Sequence, residues 1–171
     1  MKMLCLREFQ NEDASIIATW LKDEVTFSKW CARLLPNFPV QPQDLINRYE
    51  ESHNNLQDDF VPLVACDGDK LVGSLFLRML DHNTRTVRIG FVVVDDAMQG
   101  RGYGREMLKL TLEYAKKRWP VKRATLGVYS NNPGAHKCYQ MAGFVDQDRE
   151  PIICEIMGEQ WECVEMEYFF D

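Results

Sequence analysis

The chain has 171 residues, 46% of them hydrophobic and 27% charged, with a net charge of −6. That length suits one domain that buries roughly two-thirds of its unfolded surface without disulfide or metal staples, and the composition excludes collagen-like, low-complexity and wholly disordered classes. The acidic balance offers no broad grip on a polyanion, so no nucleic-acid partner is expected and a cationic small molecule or basic peptide is favoured.

In chain order, the opening Met1-Lys2-Met3-Leu4-Cys5-Leu6-Arg7 reaches charge before an apolar core of leader length develops, and no later apolar run approaches membrane-spanning length. A cytoplasmic protein without a membrane partner is expected. Alternation over residues 3–9 predicts a strand, and Asn11-Glu12-Asp13 supplies capping chemistry for a helix. Its buried stripe is Ile16, Ile17, Trp20 and Leu21, with Glu12, Asp13 and Lys22 in water. Pro36, Pro39 and Pro42 then break the chain into short helices, one of them opened by Gln41-Pro42-Gln43-Asp44, and residues 52–59 read as a polar loop.

Residues 60–66 and 71–79 are strand-like runs joined by Asp67-Gly68-Asp69-Lys70, and a reversal at Asp81-His82-Asn83-Thr84 leads into a third strand over 85–94. A glycine-rich stretch follows, then a helix through Met107, Leu108, Thr111, Leu112 and Ala115 that Trp119-Pro120 ends. Residues 123–128 read as a strand, 132–142 as a short helix ended by Gly143, and Phe144 as the start of another strand. Residues 152–157 and 161–169 flank Gly158-Glu159 as a hairpin. With no repeat or linker, the order predicts a single α/β (α+β) domain over 1–171, built on one mixed sheet. Six cysteines (Cys5, Cys31, Cys66, Cys138, Cys154, Cys163) never form a Cys-x-x-Cys pair, so no metal site is predicted and most are expected to be buried thiols.

The segment Gln99-Gly100-Arg101-Gly102-Tyr103-Gly104-Arg105 lies between a strongly apolar strand and an amphipathic helix. Glycine permits positive φ and close backbone approach, while a helix N-terminus presents unpaired N–H groups and positive potential. Together these form an anion cradle, to which Arg101 and Arg105 add charge suited to a pyrophosphate or ribose phosphate. A P-loop would need Lys and then Ser or Thr where Arg105 and Glu106 stand, and a dinucleotide fingerprint would need an acidic residue near Arg123, Ala124 and Thr125. A purely structural strand-to-helix turn remains an alternative.

Gln99-Gly100-Arg101-Gly102-Tyr103-Gly104 resembles the Gln/Arg-x-x-Gly-x-Gly/Ala motif of the GCN5-related N-acetyltransferase (GNAT) superfamily. Asn132-x-x-Ala135-x-x-x-Tyr139-x-x-x-Gly143-Phe144 resembles that superfamily's second motif, in the usual order. The resemblance covers residues 60–144 well, and the opening Leu6-Arg7 with Glu12-Asp13-Ala14 and Trp20 is similar to the ribosomal-protein alanine acetyltransferase branch. It implies a mostly antiparallel sheet with helices on both faces and splayed central strands, and acetyl-coenzyme A (acetyl-CoA) as cosubstrate between them. It further implies that main-chain groups of Val92 and Val94 hold the pantetheine amides. The Gly100, Arg101, Gly102, Tyr103, Gly104 and Arg105 amides, with Gln99 in the same motif, hold the pyrophosphate, and Asn132 contacts the pantetheine arm.

The implied reaction is direct attack by a primary amine, from a small molecule or a protein N-terminus, with Tyr139 as general acid to the departing sulfur. A backbone N–H within 91–93 serves the oxyanion. Many relatives carry Glu where this chain has Arg88, which leaves Glu155, Glu165 or an already neutral amine to answer for the base. The acceptor is expected among Trp20, Phe27, Trp30, Phe38 and Trp161 with Asp23, Glu24 and Glu155, the alternative being that the tryptophans are core residues. A covalent mechanism through Cys138 and His136 is disfavoured by their spacing, and His53 and His82 read as surface residues in polar loops. A non-catalytic acyl-CoA-binding module is the alternative function, a dinucleotide oxidoreductase is disfavoured, and edge strands of the terminal hairpin permit a homodimer.

Overall fold

The computed structural model describes residues 3–171. Strand β1 (Leu4–Glu8) leads into helices α1 (Asp13–Trp20), α2 (Glu24–Cys31) and α3 (Pro42–Leu56). Strands β2 (Phe60–Asp67), β3 (Lys70–Asp81) and β4 (Thr86–Val94) follow, then α4 (Tyr103–Arg118), β5 (Arg123–Tyr129) and α5 (Pro133–Met141). The chain closes with β6 (Val145–Asp146), β7 (Ile152–Ile156) and β8 (Glu159–Phe169). Met1 and Lys2, where the argument against a leader begins, lie outside the described residues.

The strands form one sheet in the order β1-β2-β3-β4-β5-β8-β6, with β7 paired to β8. Every pairing is antiparallel except β4 with β5. This is the mixed, mostly antiparallel sheet the sequence predicts. Side-chain alternation divides the core between its faces: Val61, Leu63 and Ala65 pack with Met107 and Leu108 of α4, whereas Phe60, Val64 and Cys66 pack with Ile17, Trp30 and Tyr49 of the first three helices.

Four expectations are corrected. The segment read as a loop over 52–59 is helical to Leu56 and then makes a 3-10 turn at Gln57–Asp59. Its polar residues lie on the wet side of a helix started by a capping box between Gln41 and Asp44, and His53 is therefore helical. Ile17, Trp20 and Leu21 are buried as predicted, but Ile16 is 46% exposed and Asp13 only 5%, because Arg7 grips the Asp13 carboxylate with bonds of 2.7 and 2.8 Å and turns that side of α1 inward. Burial works to raise the Asp13 pKa, but hydrogen bonds from Arg7 and the Gln10 amide outweigh it and hold the carboxyl below the usual value. Only Cys31 and Cys66 are buried; Cys5 is exposed, the other three are partly so, and all six are free thiols. The strand expected from Phe144 onward shrinks to the two residues of β6, since Phe144 itself is buried in the core.

Candidate active site

The cleft originates in one extra residue on β4. Phe76 pairs with Gly90 and Ser74 with Val93, so β4 takes three steps for two of β3, a β-bulge. Phe91 occupies the bulge at φ +52°, a left-handed conformation that a bulky residue rarely adopts. Its surroundings hold it there. The Trp30 indole N–H donates to the Phe91 carbonyl at 2.9 Å, and the Trp30 and Phe76 rings lie 4.5 and 5.2 Å from the Phe91 ring. Gly90 has no side chain to spare, because a Cβ there would meet the Phe76 ring at 2.3 Å.

Beyond the bulge the two central strands part. Strand β4 pairs with β5 only at Thr86, Val87 and Arg88, opposite Arg123, Ala124 and Thr125. Val92 and Val94 therefore carry main-chain groups on a strand edge with no β5 neighbour, and both side chains are half-buried. Backbone N–H and C=O groups on such an edge need partners.

The glycine segment lies at the same end. A 3-10 turn at Asp96–Met98, capped by Asp95 on the Ala97 amide at 3.0 Å, delivers the exposed Gln99. Gly100 and Gly102 have φ of +74° and +81°, which glycine adopts without penalty. The first bond of α4 runs from the Glu106 amide to the Gly102 carbonyl at 3.1 Å, and no side chain caps the helix. The Gly104 and Arg105 amides lie in the first turn of this helix, where the backbone offers them no partner one turn earlier. The Tyr103 side chain turns into the core, where its hydroxyl donates to Asp67, so this residue offers the cradle only its amide. Arg101 is exposed, while Arg105 is half-buried, with its Nε buried and without a hydrogen-bond partner among the described residues. A helix start without a side-chain cap, beside an arginine whose Nε is buried without a partner among the described residues, fits the diphosphate of coenzyme A.

Helix α5 closes the cleft. Asn132, half-buried, stands at its start and forms a turn through its amide to the Tyr129 carbonyl at 2.9 Å. Cys138 packs on the first turn of α4, so closely that a Cβ on Gly104 would lie 2.9 Å from its sulfur. Burial pushes the Cys138 thiol up in pKa and Arg105 draws it partly back. His136 bonds Asp146 at 2.6 Å, engaging its Nε2 away from any covalent dyad. Tyr139 is 7% exposed and its hydroxyl has no hydrogen bond among the described residues; burial raises its pKa above the ordinary phenol value.

On the face covered by α1–α3, the aromatic residues expected at the acceptor are not one surface. Trp20, Phe27 and Trp30 belong to the core beneath the helices, and Trp161 belongs to a separate cluster with Tyr129 and Ile156. Glu155 is exposed and its carbonyl accepts from Arg33 at 3.0 Å. Glu165 is held by both terminal nitrogens of Arg88, and the pair spans β5 above Gly127, where a Cβ would meet both side chains at 3.1 Å. His82, a surface residue as predicted, bonds Asp59 at 2.7 Å. Trp30 as the anchor of the bulge is the role that sequence reasoning missed, because a bond across 61 positions leaves no local signal. Among the described residues no group of three or more His, Cys, Asp or Glu could hold a metal ion, and no helix is long and apolar enough to cross a membrane.

Comparison with known proteins matches the arrangement to a family. Among curated relatives, protein ElaA of Escherichia coli (strain K12) is 28% identical over 92 residues, 54% of this chain and 58% of ElaA. Spermine/spermidine N(1)-acetyltransferase of Bacillus subtilis (strain 168) is 31% identical over 64 residues, 37% of this chain and 42% of that protein. The matches thus span less than two-thirds of those relatives. The crystal structure of spermidine N-acetyltransferase from Vibrio cholerae in complex with CoA and spermine superposes with a TM-score of 0.79 at 21% identity, covering 97% of this chain and 95% of that one. The model of the acetyltransferase (GNAT) family matches residues 20–144. With that match over most of its length, and with the bulge, the parted strands and the uncapped helix end in place, the chain belongs to the acetyltransferase (GNAT) family.

Proposed function

We propose that this acetyltransferase moves an acetyl group from acetyl-CoA to a primary amine by direct attack, with Tyr139 as the proton donor. The observation that carries the reading is the parting of β4 from β5 after Arg88, beside the uncapped start of α4 on which α5 packs. Acetyl-CoA supplies an acyl group activated as a thioester. Main-chain groups of Val92 and Val94 bind the pantetheine amides, and Asn132 contacts the same arm. The amides from Gly100 to Arg105 take the diphosphate, with Gln99 leading in and the Arg101 and Arg105 side chains neutralising charge. A backbone N–H beside the bulge is fixed before reaction, so orienting it costs little as charge develops. Tyr139, its phenol pKa raised by burial, stays protonated at neutral pH and donates to the departing sulfur.

Arg88 fills the strand position where a carboxylate would serve as base, and its Glu165 partner is bound to it. The amine therefore reaches the thioester already neutral, or loses its proton to water. The test measures acetyl-CoA binding by thermal stabilisation and thiol release with a panel of amines that includes spermidine, after the polyamine enzymes resembling this chain. Tyr139→Phe should lower turnover about a hundredfold while acetyl-CoA affinity stays within about twofold. Binding with no thiol release for any amine would instead identify a non-catalytic acyl-CoA-binding module.

A further inference from the structure

We propose that the small cavity behind the β4 bulge recognises a carboxylate on the acceptor, so that the amine acetylated belongs to an amino-acid-like molecule rather than to a polycation. The inference deepens the acetyl-transfer reading and rests on it for the amine. The cavity, of about 90 Å³, lies between α3 and the strands, and its wall includes Arg48, Tyr49, Ser52, Arg78 and Phe91. Two buried polar atoms in that wall, the Tyr49 hydroxyl and Arg78 Nε, lack a hydrogen-bond partner among the described residues. Tyr49 is only 4% exposed, and Ser74, whose hydroxyl donates to the Leu63 carbonyl at 3.2 Å, lies close enough for its oxygen to interact with the Tyr49 hydroxyl. Buried donors are rarely left unmet in a folded protein, and the Arg78 Nε at this cavity calls for an acceptor.

The local charge says which acceptor. Arg78 lies directly opposite Arg88 across β3 and β4, and like charges so placed repel. Glu165 neutralises Arg88, but among the described residues no salt bridge reaches Arg78, and Arg48 has only the exposed Glu51 at 3.7 Å. The cavity is therefore cationic. Arginine Nε and its neighbouring terminal nitrogen form a planar fork that matches the two oxygens of a carboxylate. A volume of about 90 Å³ suits a carboxylate and its first carbon, and the two arginines disfavour a polyamine. Phe91 links this cavity to the place where the central strands have parted. By contrast, the cavity of about 520 Å³ between α1 and the turns near Asp69 and Asp96 carries charges already paired, Lys22 with Asp96 at 2.6 Å and Lys70 with Asp95 at 3.9 Å.

The experiment compares glycine, β-alanine and a dipeptide with their primary amides and with spermidine, in two measurements. In thiol release, the acids should exceed their amides by at least about tenfold in kcat/KM. Arg78→Gln should lower that value for the acids about ten- to a hundredfold and erase the preference, and the isosteric Tyr49→Phe about three- to tenfold. In nitrogen-15 NMR without acetyl-CoA, the Arg78 Nε–H signal should shift saturably with the acids and not with the amides or spermidine. Acetylation of amides or spermidine as fast as of acids, or an Arg78 signal that the acids leave unmoved, overturns the proposal while acetyl transfer stands. A saturable Arg78 shift with no acid acetylated supports the carboxylate site and counts against the acetyl-transfer reading.

Discussion

Gly104 offers a sharp test of how the cofactor loop and the tyrosine helix are joined. It lies in the first turn of α4 without positive φ, and a Cβ would sit 2.9 Å from the Cys138 sulfur and 3.6 Å from a Val94 methyl. The family pattern accepts glycine or alanine at this position, so the backbone tolerates the change and the local packing decides its effect. Restoring an ordinary contact of 3.4 Å requires the sulfur, or α5 with it, to retreat by about half an ångström. Overpacking of this kind costs about 1–3 kcal/mol, against a helix-propensity gain of at most about 1 kcal/mol for alanine over glycine. Gly104→Ala should therefore destabilise by about 1–2 kcal/mol and lower turnover, since the retreat moves Tyr139. Cys138→Ala removes the obstacle, so the double variant should recover most of both losses, with a coupling of about 1–2 kcal/mol by urea unfolding of all four proteins. A Gly104→Ala protein as stable as the parent, with effects additive within about 0.5 kcal/mol, would refute the packing argument.

The bulge is held by one long-range bond, so Trp30→Phe, which keeps an aromatic ring but strips the donor from the Phe91 carbonyl, should cost about 1–3 kcal/mol in urea unfolding. It should also weaken acetyl-CoA binding without touching the ligand, and unchanged affinity would show that the bulge does not depend on the indole. The Asp13 carboxyl has a folded pKa below its unfolded value, so its contribution is complete above about pH 4 and is lost as pH falls through the folded value. Allowing for the solvent that reaches Arg7, Asp13→Asn should cost about 1–2 kcal/mol at pH 7. The difference should shrink as pH falls through the folded value in parallel denaturation series from pH 7 downward, and a gap constant over that range would contradict the assignment.

The hairpins, the glycine segment and α4 were legible because each depends on neighbours a few residues apart: reversals at Asp67-Gly68 and Gly158-Glu159, apolar alternation, and a helix stopped at Trp119-Pro120. What escaped depends on contacts between one element and the next. The Arg7–Asp13 pair reverses the exposure of Asp13 and Ile16 on α1, and no pattern within the helix encodes a partner on β1. The polar residues that close α3 look like loop chemistry until a capping box and a packed Leu56 fix them as helix. Val92 and Tyr139 became candidates through the family resemblance and Gly104 through the glycine segment, whereas Arg78 passed unnoticed as one charge between Leu77 and Met79 in an otherwise apolar strand.

Trp30 precedes the central strands by some sixty positions, yet its indole fastens the wall along which the cosubstrate is proposed to run. Selectivity and cosubstrate grip therefore share a hinge pin. Transplanting α2 and α3 from a relative to redirect this enzyme would succeed only if the graft brought an equivalent indole in register with Phe91, since otherwise a new appetite would come at the expense of the old hold.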